Sequence, residues 1–164
     1  MTPQIELRPA ESSDEEFFYC LFAETRAGQF AGVGLPAPKI EQLMRMQFRA
    51  REAAYLREYP NSERVVISVG AEKAATLWCD QTDRDLRIID IAVLPRFQGR
   101  GIARTAMQNV LRRAATERKT VRLSVRSENA RARALYEQLG FRVCGTGDFY
   151  VELTWHAADI REAS

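Results

Sequence analysis

The chain has 164 residues, 46% of them hydrophobic, with 24 basic against 22 acidic side chains and a formal net charge of +2. That length suits one domain on the rough measure of about 100–200 residues each, and the apolar fraction is ordinary for a packed core, which excludes a disordered or fibrous chain. No apolar run approaches the roughly 20 residues of a bilayer span, so no membrane helix is expected.

In chain order, Ile5, Glu6, Leu7 and Arg8 alternate apolar and polar, the period of a strand, and Pro9 closes it. Ser12 or Ser13 is the expected N-cap of a first helix, with Asp14, Glu15 and Glu16 in its first turn and Phe17, Phe18, Leu21 and Phe22 along it. Its end is expected near Gly28. Residues 27–39 then read as a loop, long for a compact domain, and such loops often carry function. Residues 40–59 place Ile40, Leu43, Met44, Phe48 and Tyr55 roughly on one side and Arg45, Arg49 and Arg57 elsewhere, which predicts an amphipathic helix. Pro60 stops it.

Strands over 64–69, 74–79 and 85–93 follow as a meander, with turns at 70–73 and 80–84. The third strand is apolar on both alternating faces, as suits a central strand covered on two sides. Asp90 is its exception, a carboxylate costly to bury unless it is paired or faces a cleft. A helix over 101–118 turns Ile102, Ala106, Val110 and Leu111 inward, and a strand over 121–125 alternates. A short helix over 129–139 ends at Gly140 as its C-cap. Residues 141–144 and 149–155 can pair as a hairpin through 145–148, and the last eight residues read as a frayed tail. The order β-α-α-β-β-β-α-β-α-β-β is an α/β layout with a mixed sheet.

The most informative stretch is 91–104: a buried strand ended by Pro95, a turn holding Gly99 and Gly101, and an immediate helix start. Amides left unpaired in the first turn of that helix point into a loop with little side-chain bulk, where an anion can approach the main chain. Arg96, Arg100 and Arg104 add mobile positive charge. No Gly-Lys-Ser/Thr follows and no third glycine completes a dinucleotide fingerprint, so the ligand carries phosphate but suits neither of those motifs.

Charge is distributed in the same sense. Residues 94–142 hold twelve Arg or Lys against three Glu, whereas residues 1–60 hold seven basic against nine acidic. A nucleic-acid surface is one reading of such an excess, but no aromatic platform is interleaved with it, and a phosphate-rich cofactor accounts for it better. Cys20, Cys79 and Cys144 are widely spaced and only His156 is present beside them, which points to a reducing compartment and no metal site. Cys144 is the one near enough to the later motif to reach a cleft. The acidic residues near the N-terminus resemble neither a signal nor a transit peptide, so a cytoplasmic protein is expected.

Gln98-Gly99-Arg100-Gly101-Ile102-Ala103 resembles the Gln/Arg-x-x-Gly-x-Gly/Ala signature of the GNAT superfamily of acetyl-CoA-dependent N-acetyltransferases. Asn129-Ala130-Arg131-Ala132-Arg133-Ala134-Leu135-Tyr136-Glu137-Gln138-Leu139-Gly140-Phe141 is similar to that family's Asn-x-x-Ala-x-x-Leu-Tyr-x-x-x-Gly-Phe segment. The resemblance implies one α/β (α+β) domain over 1–164 with a mixed, mostly antiparallel sheet flanked by helices. Residues 1–60 would line the acceptor site and 64–156 would form the cofactor-binding core. Acetyl-CoA is the implied cosubstrate, with no metal. Its pantetheine arm would enter a gap between the fourth and fifth strands and pair with main-chain groups of Ile91, Ala92 and Val93. Residues Gln98, Gly99, Arg100, Gly101, Ile102, Ala103 and Arg104 would cradle the pyrophosphate, and Asn129 would hold the arm near its thioester.

Acetyl transfer to an amine needs a neutral nucleophile, a stabilised oxyanion and a proton for the departing thiolate. A backbone N–H near Val93 is the implied oxyanion donor, and Tyr136 holds the position of the family's usual general acid. The base departs from the pattern, since the places where many relatives carry glutamate hold Arg87 and Ser124. It is left open among Asp90, then Glu128, then a water relay or an amine arriving neutral. Phe30, Arg45, Arg49 and Tyr55 are the acceptor-site candidates by their place in the chain. The acceptor itself, a small-molecule or peptide amine, is not legible, and a homodimer is left open because many relatives form one. The alternative reading is a CoA-binding sensor or interaction module that has lost catalysis.

Overall fold

Alternating segments become strands and 3.6-period segments become helices in a computed structural model that describes residues 2–158. In chain order these are β1 (Glu6–Pro9), α1 (Glu15–Thr25), α2 (Ala37–Glu58), β2 (Glu63–Val69), β3 (Glu72–Gln81), β4 (Asp85–Val93), α3 (Ile102–Glu117), β5 (Thr120–Arg126), α4 (Ala130–Gln138), β6 (Arg142–Thr146) and β7 (Tyr150–Trp155). The expected order of elements is therefore found. The strands form one sheet, β1-β2-β3-β4-β5-β7-β6, antiparallel at every pairing except β4 with β5. Most of the frayed tail expected at the C-terminus lies outside the described residues.

Local corrections have plain causes. Neither Ser12 nor Ser13 caps α1; both lie in a 3-10 turn ahead of it. The N-cap residue is Asp14, whose carboxylate does not bond into α1 but reaches back to accept the Glu11 N–H at 2.8 Å, closing the 3-10 turn, and is wholly buried. Helix α2 starts three residues before the expected position, on Pro36 as N-cap. Pro38 is tolerated there because an N–H in the first helical turn has no intrahelical partner to lose. The segment before it is a succession of tight turns, with Gln29, Ala31 and Val33 N–H groups each donating three residues back. The first hairpin is tighter than expected, for β3 begins at Glu72 opposite Val69.

Helix α3 packs Ile102, Ala106, Met107, Val110, Leu111 and Ala114 against one face of the sheet. On the opposite face, α1 brings Phe18, Leu21 and Phe22, and α2 brings Met44 and Phe48. These apolar stripes recur at three and four residues, the spacing that keeps one helix side on the sheet. Fully burying a side chain such as Leu21 or Phe48 stabilises the fold by roughly 1.5–3 kcal/mol.

One irregularity in β4 governs everything that follows. Trp78 lies opposite Asp90 while Cys79 lies opposite Ile88, so Ile89 is an extra residue on β4. Leu86 and Ile88 are buried on the α3 side, where Leu86 and Val110 line one groove. Strict alternation would carry Asp90 in behind them. The bulge reverses the alternation and places Asp90 beside Trp78 and Arg64, on the face where Arg64 stacks over Phe18 of α1 at 3.7 Å. A bulge also bends and over-twists its strand.

Candidate active site

β4 pairs with β5 only from Asp85 to Ile88, against Thr120 to Leu123. Beyond that point β5 continues with β7 alone, and the two central strands part at the bulge. Leu94 N–H donates to Ala74 O of β3 at 2.9 Å, and main-chain groups of successive strand residues point to opposite sides. Val93 and Ile91 therefore turn their N–H and C=O groups into the gap. One of these groups is already engaged: Val93 O accepts from Gln98 Nε2 at 3.0 Å. The Val93 N–H is left aimed at the opening.

A cleft of about 610 Å³ opens from this gap toward the start of α3. Ten of the predicted residues line it: Ile91, Val93, Gln98, Gly99, Gly101, Ile102, Ala103, Arg104, Asn129 and Tyr136. Gly99 and Gly101 have φ of 75° and 78°, left-handed values that a Cβ makes costly, and Gly101 is the N-cap of α3. The bare N–H groups of that helix turn thus face the cleft with its dipole behind them. Arg104 donates to Gln138 across the opening, and Arg131 adds charge at the α4 side. Arg100 is elsewhere, its guanidinium 5.2 Å from the Phe97 ring, and Ala92 faces a second cleft described below. Arg131, Gln138 and Phe97 are cleft residues that no motif reading singled out.

Asn129 caps α4, its Oδ1 accepting the Ala132 N–H at 3.1 Å, so its NH₂ remains for a ligand. Tyr136 is held by the far end of the same helix. Its carbonyl accepts the Phe141 N–H at 3.0 Å and Glu137 O accepts the Gly140 N–H at 3.1 Å, with Gly140 at φ 98°. The Tyr136 and Phe141 rings meet edge to face at 5.7 Å. This is a Schellman ending with its customary apolar contact. Burial, and behind it the charge of Asp90, pushes the Tyr136 phenol up to about 12. The phenol is therefore a proton donor at neutral pH.

The second cleft, about 830 Å³, opens on the α1 and α2 side and shares Ile91, Val93, Gln98 and Asn129 with the first. Asp90 stands in its wall. The Asp90 Oδ2 is 3.7 Å from Arg51 Nη1, too long for a hydrogen bond, and is buried with no partner, as is Arg51 Nε. Such groups cost about 1–3 kcal/mol each when left unsatisfied. Glu128, the second base candidate, also lines this cleft, paired with Arg126 at 3.0 Å.

The acceptor candidates are not gathered there. Arg45 faces away, paired with Glu16 and Glu41 at 2.9 Å each and stacked on Tyr19 at 3.8 Å. Arg49 is exposed one turn further along that side. Phe30 packs against the core at the edge of the turns before α2. Tyr55 supports the cleft from behind, its ring perpendicular to Trp78 at 5.4 Å and near Arg51 at 5.6 Å. The side chains that do line the second cleft include Thr25, Arg26, Gln29, Gln47, Arg51, Arg64 and Arg126. Arg87 and Ser124 form an outer cluster, both bonded to Glu152, a carboxylate held below its usual range against the effect of burial by those two donors. Cys144 lies exposed on edge strand β6, outside both clefts.

Among the described residues no helix is long and apolar enough to cross a membrane, and no group of three or more His, Cys, Asp or Glu is placed to hold a metal ion. A family model described as the acetyltransferase (GNAT) family matches residues 36–141. No curated protein compared with the chain matches it. Among solved structures, the PaiA N-acetyltransferase of Thermoplasma acidophilum in complex with coenzyme A is similar at TM-score 0.69 and 15% identity, over 93% of this chain and 99% of that one. A spermidine N-acetyltransferase of Vibrio cholerae in complex with CoA and spermine is similar at 0.67 and 21%, over 95% and 97%. The ribosomal-protein-S18-alanine N-acetyltransferase of Escherichia coli is similar at 0.61 and 18%, over 93% and 94%.

Proposed function

The chain belongs to the acetyltransferase (GNAT) family, and from that premise we propose that it moves the acetyl group of acetyl-CoA to a primary amine by direct attack in a ternary complex. The observation that carries this reading is the parting of β4 and β5 at Ile88, which leaves the edge of Ile91 and Val93 without a partner strand beside the glycine turn. An extended pantetheine arm would add to that edge as a short strand, with its pyrophosphate on the first turn of α3. Arg104 and Arg131 would supply countercharge. Two solved structures of similar fold are complexes with coenzyme A, which supports acetyl-CoA as the cosubstrate.

The chemistry then runs across the gap between the two clefts. The amine nitrogen enters from the acceptor side, where Asp90 or a water on it takes the proton. Its lone pair attacks the thioester carbon, and the Val93 N–H receives the developing oxyanion. As the tetrahedral intermediate collapses, the C–S bond breaks and the thiolate takes the proton of the Tyr136 phenol. In this reading residues 1–60 serve the acceptor and 64–156 the cofactor, within one domain working in the cytoplasm.

Calorimetric titration with acetyl-CoA, followed by thiol-release assays over a panel of primary amines, tests it. Saturable binding and release of CoA with an acetylated amine are expected. The Gly101→Asp variant should lose cofactor binding, since it puts a Cβ at φ 78° and a negative charge where phosphate would sit. Binding of CoA with no turnover on any amine would favour the sensor reading instead.

A further inference from the structure

The charges on the acceptor side do not balance locally. Arg64 is matched by Glu52 at 2.7 Å and Arg126 by Glu128 at 3.0 Å. Arg26 and Arg51 share what is left. Both guanidiniums lie against the Phe22 ring, at 4.0 Å and 4.8 Å, and the carboxylate whose charge acts on both is Asp90, 3.7 Å from Arg51. Arg26 donates only to Phe22 O and Thr25 Oγ1, at 3.5 and 3.4 Å, and has no carboxylate partner among the described residues. Its pKa is lowered by burial and then by the like charge of Arg51. Two half-buried cations share one ring and a single carboxylate, and Arg51 Nε and Asp90 Oδ2 are both buried without a hydrogen-bond partner, so the site is short of one anion.

Resting on the acetyl-transfer reading above, we propose that the acceptor is an amino acid, a primary amine with a carboxylate close to it, whose carboxylate is bound by Arg26 and Arg51. The planar guanidinium fork suits a carboxylate over any single-point anion contact. Arg51 is shared by the two subsites, reaching Asp90 for the amine and sharing the Phe22 ring with Arg26 for the acid. Their closeness selects amines whose acid group lies only a few bonds away. A polyamine would bring a second ammonium to a place already one positive charge in excess, and like charges brought together without solvent repel strongly.

The test compares free L-amino acids with their carboxamides and with spermidine, as substrates of the wild-type protein and of Arg26→Gln. At least one free acid should be acetylated with kcat/KM about tenfold or more above its amide, and spermidine should be poorer still, since a charge-assisted contact is worth at least that factor. Arg26→Gln should raise KM for the acid by about tenfold and leave its kcat, the amide and acetyl-CoA binding within about twofold; Arg26→Lys should restore part of the loss. Amides or spermidine used as well as acids, or equal effects of Arg26→Gln on acid and amide, would overturn the assignment. If acetyl-CoA binds but no amine is acetylated, the transfer reading fails separately. The carboxylate site is then judged by thermal shift of the CoA-loaded protein: stabilisation by free amino acids but not amides, abolished in Arg26→Gln, supports it, and its absence refutes it.

Discussion

Tyr136 shows how one residue's chemistry is set by its burial. Its phenol has no hydrogen bond to accept its charge as phenolate, and burial and Asp90 both disfavour that charge, so the pKa moves up to about 12. A proton donor with a raised pKa stays protonated as pH rises, and its function is lost only above about 11. Activity should therefore climb with pH as the amine deprotonates, with no alkaline decline assignable to Tyr136 below that value. Tyr136→Phe should lower kcat by about 10²–10⁴, the usual contribution of a positioned acid, with acetyl-CoA affinity nearly unchanged. Stopped-flow or steady-state assays from pH 6 to about 11 check both; an alkaline limb near 10 that disappears in the Phe variant would assign an ordinary phenol instead.

At the level of elements, three local devices position that chemistry. The bulge at Ile89 turns Asp90 from the core to the second cleft, the glycine turn bares the start of α3, and the Schellman ending of α4 fixes the Tyr136 ring against Phe141. The last gives a direct test. Gly140→Ala forces a Cβ into φ 98°, which costs about 1–2 kcal/mol, and it frees the end of the helix that holds the acid. Chemical denaturation should show that loss, and kcat should fall while acetyl-CoA affinity holds. A variant of wild-type stability would place Gly140 outside the control of Tyr136. The register of α2 was legible by the same kind of reasoning. At about 100° per residue, Arg51 and Tyr55 fall beside Met44 and Phe48, whereas Arg45 and Arg49 fall about 100° and 140° away, toward solvent and α1. Place in the chain selected Arg45 and Arg49; the helical period selects Arg51.

Over the whole molecule, a buried carboxylate near the start of the chain joins parts far apart in sequence. Asp14 takes Arg8 of β1 at 2.7 Å, Lys73 of β3 at 2.7 Å and the Glu11 N–H at 2.8 Å. The Arg8 hydrogen bond holds its pKa well below the usual carboxylate range, helped by Lys73 and the Glu11 N–H and opposed by burial. A depressed folded pKa means that the stability is fully present above the unfolded value of about 3.9 and is lost as pH falls below it. Asp14→Asn should cost about 2–4 kcal/mol at neutral pH, toward the lower end of what breaking a buried pair costs because both cations are partly exposed. The gap between the urea midpoints of the two proteins should hold from pH 7 down to about 4 and then begin to narrow as pH falls toward 3, because the contribution is lost progressively between the unfolded pKa and the lower folded one. A gap that does not narrow at all between pH 5 and pH 3 would mean that the side chain acts through packing and not through charge.

What the sequence determined by itself was everything carried by local periodicity and by contiguous motifs. The strands and helices, the glycine turn, the Asn129 cap and Tyr136 on its helix depend on neighbours a few residues apart, and the structure brings the turn, Asn129 and Tyr136 to one cleft. The acceptor side was not legible in this way. Arg26, Arg51, Asp90 and Arg126 come from α1, α2, β4 and β5, and no short segment holds two of them. Even the side of the sheet that Asp90 faces depends on one extra residue in β4, which alternation alone would read the opposite way. Only the tertiary structure decides such a site, because it alone sets which unmatched charges of distant segments share one desolvated space.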